Sequence, residues 1–359
     1  MPSIVSIQTA AAVDDQSVAS ILVIYTGGTV GMAYNERGLL APMRFSEVTR
    51  LMPELRYLRM RVSVLSMPHP IDSSNVTPTD WLTLANLIGE HYDHYDGFVV
   101  LHGTDTMAYS ASALSYMLEN LTKPVVFTGA QVPAGRVRTD ARRNFITALE
   151  IAAARHPNGS TRVPEVCIFF NTLLLRGTRA KKVESQRFAA FKSENLPPLA
   201  QAGIKLEFND VLVRPLPAPT ASLQIHTQFD DRVTILKLFP GITEQVITCI
   251  LNVEGLRGCI LETFGSGNAS TQPWFLHALK QAHDRGIHIL NVSQCEEGRV
   301  EQGRYETSAS LPGCGVLSGD DITTEAAITK LMFVLGLQKS HAETARLLVQ
   351  DLRGEITSL

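Results

Sequence analysis

The sequence has little of what nucleic-acid-binding and membrane proteins require. Its 32 Lys and Arg residues nearly balance 35 Asp and Glu residues, which gives a formal charge of −3 over 359 residues. Binding to nucleic acid or to an anionic membrane normally needs a clustered excess of basic residues. No apolar run approaches the roughly 18 residues of a membrane span. We therefore expect a small-molecule partner, with no nucleic acid and no membrane.

The N-terminal segment also lacks the features of a secretory signal. Residues 1–19 contain no Lys or Arg and include Asp14 and Asp15. A signal peptide has a basic n-region followed by an uninterrupted apolar stretch. We expect a cytoplasmic protein in which residues 1–19 form a short, frayed tail.

Cysteine is scarce and shows no pairing pattern. There are five cysteines, an odd number, and none lies in a C-x-x-C spacing. Cys167 and Cys259 lie within apolar, strand-like runs, which favours buried thiols in a reducing compartment over disulfides or a metal site. The acidic and histidine residues at 90–94 are typical of a helix end, so we expect no metal.

The sequence lacks the common nucleotide and hydrolase motifs. The dinucleotide fingerprint would need a glycine where Thr26 stands, so only the half from Gly28 to Gly31 is present. The P-loop, H-E-x-x-H and G-x-S-x-G patterns are all missing. A nucleotide cofactor and a nucleophile elbow are therefore disfavoured.

What is present is an alternation of short apolar runs with longer segments of helical period. This pattern predicts an α/β fold in which a parallel sheet is buried on both faces. The predicted strands cover residues 21–25, 97–101, 124–127, 166–170, 233–239, 259–262 and 288–292. The predicted helices cover residues 79–94, 106–119, 140–154, 272–285, 323–337 and 341–352.

The chain length suggests two domains. Pro215, Pro217 and Pro219 stand at alternate positions and deny the backbone a helical ladder, so we assign residues 211–228 to a linker. The larger N-terminal α/β catalytic domain then covers residues 20–210. A smaller C-terminal α/β domain covers residues 229–359.

Polar loops rich in Gly and Thr follow three predicted strands. They are residues 25–31 (YTGGTVG), 102–106 (HGTDT) and 128–131 (TGAQ). Ligands of open parallel sheets bind outside the carboxyl ends of the strands, so these loops can converge on one site. Glycine lets a ligand approach the backbone closely, and a Thr hydroxyl can attack when a base takes its proton. Such loops suit a small polar substrate.

These loops carry a resemblance to a known family. The chain resembles the bacterial-type L-asparaginases, and particularly their cytosolic type I branch, from about residue 20 to residue 357. That family hydrolyses L-asparagine to aspartate and ammonia without a cofactor. The matching segments are residues 25–32, 72–74 (DSS), 97–121, 169–183 (FFNTLLLRGTRAKKV), 195–199 (NLPPL) and 263–268 (TFGSGN).

The resemblance implies roles for the catalytic residues. Thr29 is similar to the family's nucleophile, which attacks the side-chain amide carbon to give an acyl-enzyme. Thr104, Asp105 and Lys182 resemble its second polar triad. In that triad Lys182 holds Asp105 ionised, and the cluster can activate a hydroxyl or water and pass a proton to departing ammonia. Asp105 would also bind the substrate's ammonium group.

Further residues are expected to bind substrate. Ser73 and Ser74, with Asp72 beside them, match positions that hold the α-carboxylate and α-amino groups. We expect Ala130 to contact the amide nitrogen, and backbone N–H groups near the two catalytic threonines to bind the oxyanion. Asn268 matches a residue lent by the adjacent subunit, which implies a homodimer and commonly a homotetramer.

Two departures from the family pattern stand out. Many relatives have an activating tyrosine in the lid where this chain has Leu39. Tyr34 lies closer in the lid and Tyr305 lies in a C-terminal loop, and we favour Tyr305 as the activating residue. The second departure is residues 139–141 (TDA), which we expect to form a solvated loop without a function.

Two other functions remain open. One is the asparaginase-like amidase subunit of a tRNA-dependent amidotransferase, which would have an extra N-terminal module and a second subunit. The other is a non-catalytic protein that binds an amino acid in the same pocket.

Overall fold

The structure is a computed structural model that describes residues 4–11, 18–34, 40–42 and 50–357. The chain divides into two compact units. The N unit comprises Met1–Ser193 and Pro197–Ile225, and the C unit comprises Glu194–Leu196 and His226–Leu359. The division after Ile225 falls within the segment that we assigned to the linker.

The N unit is built on one large sheet of nine strands, in the order β1-β5-β2-β6-β8-β9-β10-β13-β14. Three two-stranded pairs accompany it, namely β3 with β4, β7 with β15, and β11 with β12. The strands are β1 (Ile4–Ile7), β2 (Ser20–Gly27), β3 (Met32–Tyr34), β4 (Leu40–Pro42), β5 (Arg61–Ile71), β6 (Gly97–Leu101), β7 (Leu118–Glu119), β8 (Val125–Thr128), β9 (Val166–Phe170), β10 (Leu173–Arg176), β11 (Lys181–Lys182), β12 (Phe191–Lys192), β13 (Ala200–Ala202), β14 (Leu206–Phe208) and β15 (Gln224–Ile225).

The centre of this sheet is parallel, as predicted, but its edges are not. Strands β5, β2, β6, β8 and β9 run parallel to one another, and the four strands predicted in this region all lie in that core. Strands β1, β10, β13 and β14 are antiparallel additions. The predicted parallel sheet is therefore confirmed as the core of this unit, and the sequence pattern did not reveal the antiparallel strands added at its two sides.

Strand β5 and strand β1 were both missed by the sequence pattern. Strand β5 carries the sequence RVSVLSMPHPI, in which apolar and polar residues mix and two prolines lie near its end. It pairs with β2 on one side and with β1 on the other. Residues 4–7 are thus an edge strand, which corrects the expectation that residues 1–19 form a frayed tail throughout.

The paired strands of the sheet bring their carboxyl ends to one level. Tyr25 of β2 lies beside Leu101 of β6, and Leu101 lies beside Thr128 of β8. Residues 21–24 are fully buried, and Ile21 and Val23 share a core cluster with Phe145. This rigid core therefore fixes where the three polar loops begin.

Three helices of the N unit pack on the sheet and connect its parallel strands. The first helix begins with a capping box in which Thr77 and Asp80 bond each other's backbone, which satisfies N–H groups that a helix start leaves free. The helices are α1 (Pro78–His91), α2 (Met107–Met117) and α3 (Ala141–Ala153).

The C unit has a four-stranded parallel sheet in the order β16-β17-β18-β19. The sequence pattern predicted the first three of these strands. It did not predict the fourth strand (Val316–Ser318) or the helix Glu244–Leu251. The strands are β16 (Val233–Lys237), β17 (Gly258–Thr263), β18 (His288–Ser293) and β19 (Val316–Ser318). The helices are α4 (Glu244–Leu251), α5 (Pro273–Asp284), α6 (Glu306–Ala309), α7 (Thr324–Gly336) and α8 (His341–Val349).

Three histidines of the C unit lie close together, and the pKa of one of them is lowered. The rings of His288 and His341 stack at 4.0 Å, and His283 lies 5.4 Å from His341. Burial lowers the pKa of His288 to about 4, and repulsion by His341, Arg257 and His283 adds to this effect. The neutral form of His288 is therefore the one that the folded state holds.

We predict that this cluster weakens the fold in acid. Between pH 6.5 and pH 4 the unfolded chain binds a proton at His288 that the folded chain does not. The contribution of His288 to the free energy of unfolding is therefore fully present above pH 6.5. As the pH approaches 4, the free energy of unfolding falls by up to about 3 kcal/mol. Urea midpoints at pH 7.5 and 5 should differ less in His288→Leu than in wild type. His277→Leu, which replaces an exposed histidine, is the control. If the difference between the two urea midpoints is the same in His288→Leu as in wild type, the prediction is contradicted.

Candidate active site

The polar loops touch through glycine backbones that have no room for a side chain. A Cβ atom on Gly28 would lie 2.6 Å from the amide nitrogen of Gly103. One on Gly103 would lie 2.4 Å from the hydroxyl oxygen of Ser73. Gly28 also has a φ of 82°, which other residues rarely adopt. The loops after β2, β5 and β6 therefore meet at one point of the sheet edge.

Thr29 lies at this point, in a single 3₁₀ turn that directly follows β2. The turn runs from Thr29 to Gly31, and Gly31 donates its N–H to the Gly28 carbonyl. The Tyr25 hydroxyl donates to the Gly31 carbonyl at 3.2 Å. Burial raises the pKa of Tyr25 to about 12, so this hydroxyl remains a donor over the physiological range. The neighbouring Thr26 donates to the Leu101 carbonyl and holds β2 to β6.

The second polar triad is assembled in the structure. The Lys182 Nζ donates to the Thr104 hydroxyl at 2.7 Å and to Asp105 Oδ1 at 2.6 Å. Lys182 lies on β11, some 78 residues further along the chain than Thr104. The Lys182 side chain is 19% exposed and that of Asp105 is 60% exposed. The lysine is thus largely enclosed, while the carboxylate still faces solvent and can receive a cationic ligand.

The segment after β5 adds Asp72, Ser73 and Ser74 to the same edge. Ser73 is buried, and its hydroxyl accepts a bond from the Asp105 N–H at 3.3 Å. The Thr106 hydroxyl donates to the Ser73 carbonyl at 2.6 Å. Asp72 is exposed and accepts from the N–H and hydroxyl of Ser74. All three residues therefore lie beside the Asp105 end of the triad.

The loop after β8 carries Ala130 and Gln131. Ala130 is buried, and the Thr104 hydroxyl approaches the Gln131 side-chain oxygen at 3.4 Å. This loop is held by Asp140, whose side chain is buried and accepts from the backbone N–H groups of Gln131 and Val132. The expectation that residues 139–141 form a solvated loop was therefore wrong. An Asp just before an apolar helix looks like a cap in sequence, and its long-range bonds leave no signal there.

Sequence reasoning also missed His102, which is completely enclosed next to the triad. Its Nδ1 bonds the Gly103 carbonyl at 2.6 Å, and its Nε2 bonds the Ser110 hydroxyl at 3.0 Å. Trp81 Nε1 donates to that same hydroxyl. The Gly103 carbonyl can only accept, so in a neutral ring Nε2 is the acceptor and the Ser110 hydroxyl donates to it. The proton of the neutral ring then sits on Nδ1 and points to Gly103. Burial is the main cause that lowers the pKa of His102, which favours this neutral form.

The C unit holds the other two predicted residues close together. Asn268 lies in the loop after β17, where its backbone pairs with that of Phe264. The Thr307 hydroxyl donates to Asn268 Oδ1 at 2.8 Å. Thr307 belongs to α6, which Tyr305 precedes, and the Tyr305 side chain is half exposed. One hydroxyl thus links Asn268 to the segment that carries Tyr305.

The lid is described only in part. Tyr34 ends β3 and its backbone pairs with Leu40 of β4. Leu39 lies outside the described residues. The choice between Tyr34 and Tyr305 as activating residue therefore stays a prediction.

Within residues 4–11, 18–34, 40–42 and 50–357, no group of three or more potential metal ligands comes together. In the same residues, no helix has both the length and the apolar character that crossing a bilayer requires. The polar groups at the sheet edge are hydroxyls, a lysine and carboxylates.

Comparison with known proteins identifies this arrangement. Residues 20–214 match the family model "Asparaginase, N-terminal", and residues 232–348 match "Glutaminase/Asparaginase C-terminal domain". Fold and site therefore define an amidohydrolase of the glutaminase and asparaginase class. The chain belongs to the asparaginase family.

Individual relatives support this membership over nearly the whole chain. L-asparaginase 1 of Escherichia coli (strain K12) is 41% identical over 340 residues, which cover 94% of this chain and 98% of that protein. The human 60 kDa lysophospholipase is 42% identical over 94% of this chain, which corresponds to 61% of the human protein. The crystal structure of L-asparaginase I from Vibrio cholerae superimposes with a TM-score of 0.85 at 39% identity, covering 95% of this chain and all of that one.

We predict that the Ser110 hydroxyl stabilises this edge of the sheet. Ser110→Ala leaves Trp81 Nε1 without its acceptor and His102 Nε2 without its donor, and both groups are buried. An unsatisfied buried group costs about 1 to 3 kcal/mol, so a loss of about 2 kcal/mol or more is expected. Urea unfolding measures this loss. Ser160→Ala, in a surface turn, should stay within about 0.5 kcal/mol of wild type, and an equally small change in Ser110→Ala would refute the assignment.

Proposed function

We propose that the protein is an L-asparaginase that hydrolyses L-asparagine to L-aspartate and ammonia through a threonine acyl-enzyme. The observation that carries this proposal is the contact of the Lys182 ammonium with both the Thr104 hydroxyl and the Asp105 carboxylate. Thr104 and Asp105 lie on the loop whose Gly103 faces the turn of Thr29, and Lys182 reaches them from β11. A nucleophilic hydroxyl and a group that moves protons are what hydrolysis of an amide requires.

In the first half of the reaction, the Thr29 oxygen bonds the side-chain amide carbon of asparagine. The electron pair of the carbonyl bond moves to oxygen, and backbone N–H groups near Thr29 and Thr104 bind this oxyanion. The hydroxyl proton passes to the amide nitrogen. The C–N bond then breaks, which releases ammonia and leaves an aspartyl ester on Thr29.

In the second half, water attacks the ester carbon and Thr29 leaves with a proton. Lys182 gives one proton to the Asp105 carboxylate and takes the proton of the Thr104 hydroxyl, whose oxygen takes the proton from water. These transfers reverse as Thr29 leaves, which returns the proton to the Thr29 oxygen. The enclosed Lys182 forms a direct ion pair with Asp105 at 2.6 Å. Because that carboxylate is also exposed, it can bind the α-ammonium group of the substrate.

The proposal also assigns the remaining contacts to the substrate. Asp72, Ser73 and Ser74 lie beside Asp105 and would receive the α-carboxylate and α-amino groups. The Ala130 carbonyl would accept a hydrogen bond from the substrate amide. Tyr305 of a neighbouring copy, in preference to Tyr34, would help to remove the Thr29 proton.

The assembly and location belong to the same proposal. Asn268 would enter the site of a neighbouring copy, so the working form is a homodimer or homotetramer. A cytoplasmic location is supported by the five cysteines, all of which are free and three of which are buried.

The two other functions are less well supported. The match to 98% of E. coli L-asparaginase 1 accounts for this chain without an amidotransferase partner. A non-catalytic binding protein would not need the Lys182 contact to Thr104. Tight binding of asparagine without ammonia release would favour the binding protein, and co-purification with a tRNA-binding subunit would favour the amidotransferase.

The direct test is ammonia release from L-asparagine. Wild type should turn over, and Thr29→Ala should lose at least about a thousandfold in kcat because the attacking oxygen is gone. Thr83→Ala, which removes an exposed helical hydroxyl, should keep full activity. The proposal fails if wild type releases no ammonia or if Thr29→Ala remains active.

The role of Asn268 can be tested by mixing two inactive variants. A dimer of one Thr29→Ala subunit and one Asn268→Ala subunit contains one site with both residues intact. Random reassembly at equal amounts should therefore restore about a quarter of wild-type activity. The background activity is measured on each variant dissociated and reassembled by itself at the same concentration. If the mixture stays at that background, Asn268 does not serve a neighbouring site.

A further inference from the structure

Asp140 occupies the position of a helix cap but does not cap its helix. It directly precedes α3, where an Asp side chain normally accepts from the first N–H groups of the helix. Its carboxylate makes no such bond. The Thr139 hydroxyl accepts from the Ala141 N–H instead. The Asp140 carboxylate is thus free for another purpose.

That carboxylate binds the loop after β8 from inside the protein. Its Oδ1 accepts from the N–H groups of Gln131 and Val132 at 3.1 and 3.0 Å. Its Oδ2 accepts from the Gln131 N–H at 3.0 Å and from Asn144 Nδ2 at 3.2 Å. Only 3% of Asp140 is exposed. A carboxylate that accepts several N–H bonds makes stronger contacts than a neutral acceptor would, so it can fix the course of the loop.

Asn144 completes the support of the loop from the next turn of α3. Its Nδ2 also donates to the Gly129 carbonyl at 3.0 Å, and its Oδ1 accepts from the Asn171 N–H at 3.1 Å. Asn144 is fully buried. Ala130 is therefore held between a fixed carbonyl on one side and two fixed N–H groups on the other.

This arrangement leaves one backbone acceptor for a ligand. Among the described residues, none donates a hydrogen bond to the Ala130 carbonyl. The neighbouring Gln131 reaches the Thr104 hydroxyl with its side-chain oxygen, and its Nε2 donates to the Arg187 carbonyl at 3.2 Å. The direction of the Ala130 carbonyl is thus set by Asp140 and Asn144, which bind the backbone on either side of Ala130.

We propose that Asp140, together with Asn144, is a positioning residue that aims the Ala130 carbonyl at the nitrogen of the scissile amide. The inference rests on the proposed amidase function, and it assigns Asp140 an effect on the leaving group. An amide substrate donates N–H to this carbonyl as the nitrogen is expelled. An ester substrate has no N–H at that atom and cannot use the contact.

The test compares L-asparagine with the β-methyl ester of L-aspartate. Asp140→Asn keeps the shape of the side chain but places an NH₂ group against backbone N–H donors, so the loop must shift. We expect kcat/KM for asparagine to fall at least about tenfold. The fold-loss for the ester should be smaller than the fold-loss for asparagine by a factor of at least about three. Most of the loss should appear in kcat, because the contact strengthens as the nitrogen departs.

Glu150→Gln is the matched control, since it makes the same carboxylate-to-amide change on the exposed face of α3. It should leave both rates unchanged. If Asp140→Asn does not fold, Thr139→Val takes its place, because the Thr139 hydroxyl donates to the Val132 carbonyl of the same loop at 2.9 Å. Thr139→Val should lose less kcat/KM than expected for Asp140→Asn, and its loss should again be greater for the amide than for the ester.

The outcomes separate this inference from the proposed function. A wild type that hydrolyses neither substrate overturns both. An active wild type whose Asp140→Asn form loses equally on amide and ester, or loses nothing, overturns the positioning role alone. A larger loss on the amide supports it, because general damage to the fold would not distinguish the two leaving groups.

Discussion

The site depends on how closely the backbones approach at the carboxyl edge of the N-unit sheet. Gly28 lies against Gly103, and Gly103 lies against Ser73, at distances that exclude a Cβ atom. These contacts bring the turn of Thr29 next to the loop of Thr104 and Asp105. Any side chain at either glycine would separate them. The parallel strands fix the level of the loops, and the glycines decide whether the loops can meet.

Buried polar groups then set the direction of each loop. Tyr25 holds the turn of Thr29, His102 holds the Gly103 carbonyl, and Asp140 holds the loop of Ala130. Each is enclosed and saturated with hydrogen bonds, which makes a second arrangement expensive. In the C unit, the exposed Thr307 hydroxyl donates to Asn268 Oδ1 from the surface. Reactive groups are thus carried on loops, and their supports lie in the core.

Much of the fold could be predicted because burial imposes a pattern on the sequence. The runs at 97–101 and 166–170 are wholly apolar, since both faces of a central parallel strand are covered, and the structure confirms both strands. Strand β5 has no such run, because much of its length is only partly buried. The antiparallel strands β1, β10, β13 and β14 were missed because each is only three or four residues long, which is too short to show a period.

By itself, the sequence determined the residue types of the site and the family to which the chain belongs, because reactive loops leave short local motifs. It could not show that Lys182 reaches Thr104 across 78 residues, that Asp140 turns away from its own helix, or that His102 is a neutral donor. These facts depend on which segments meet in space. Only the tertiary structure decides them, because a hydrogen bond between distant residues is set by packing and leaves no spacing in the chain.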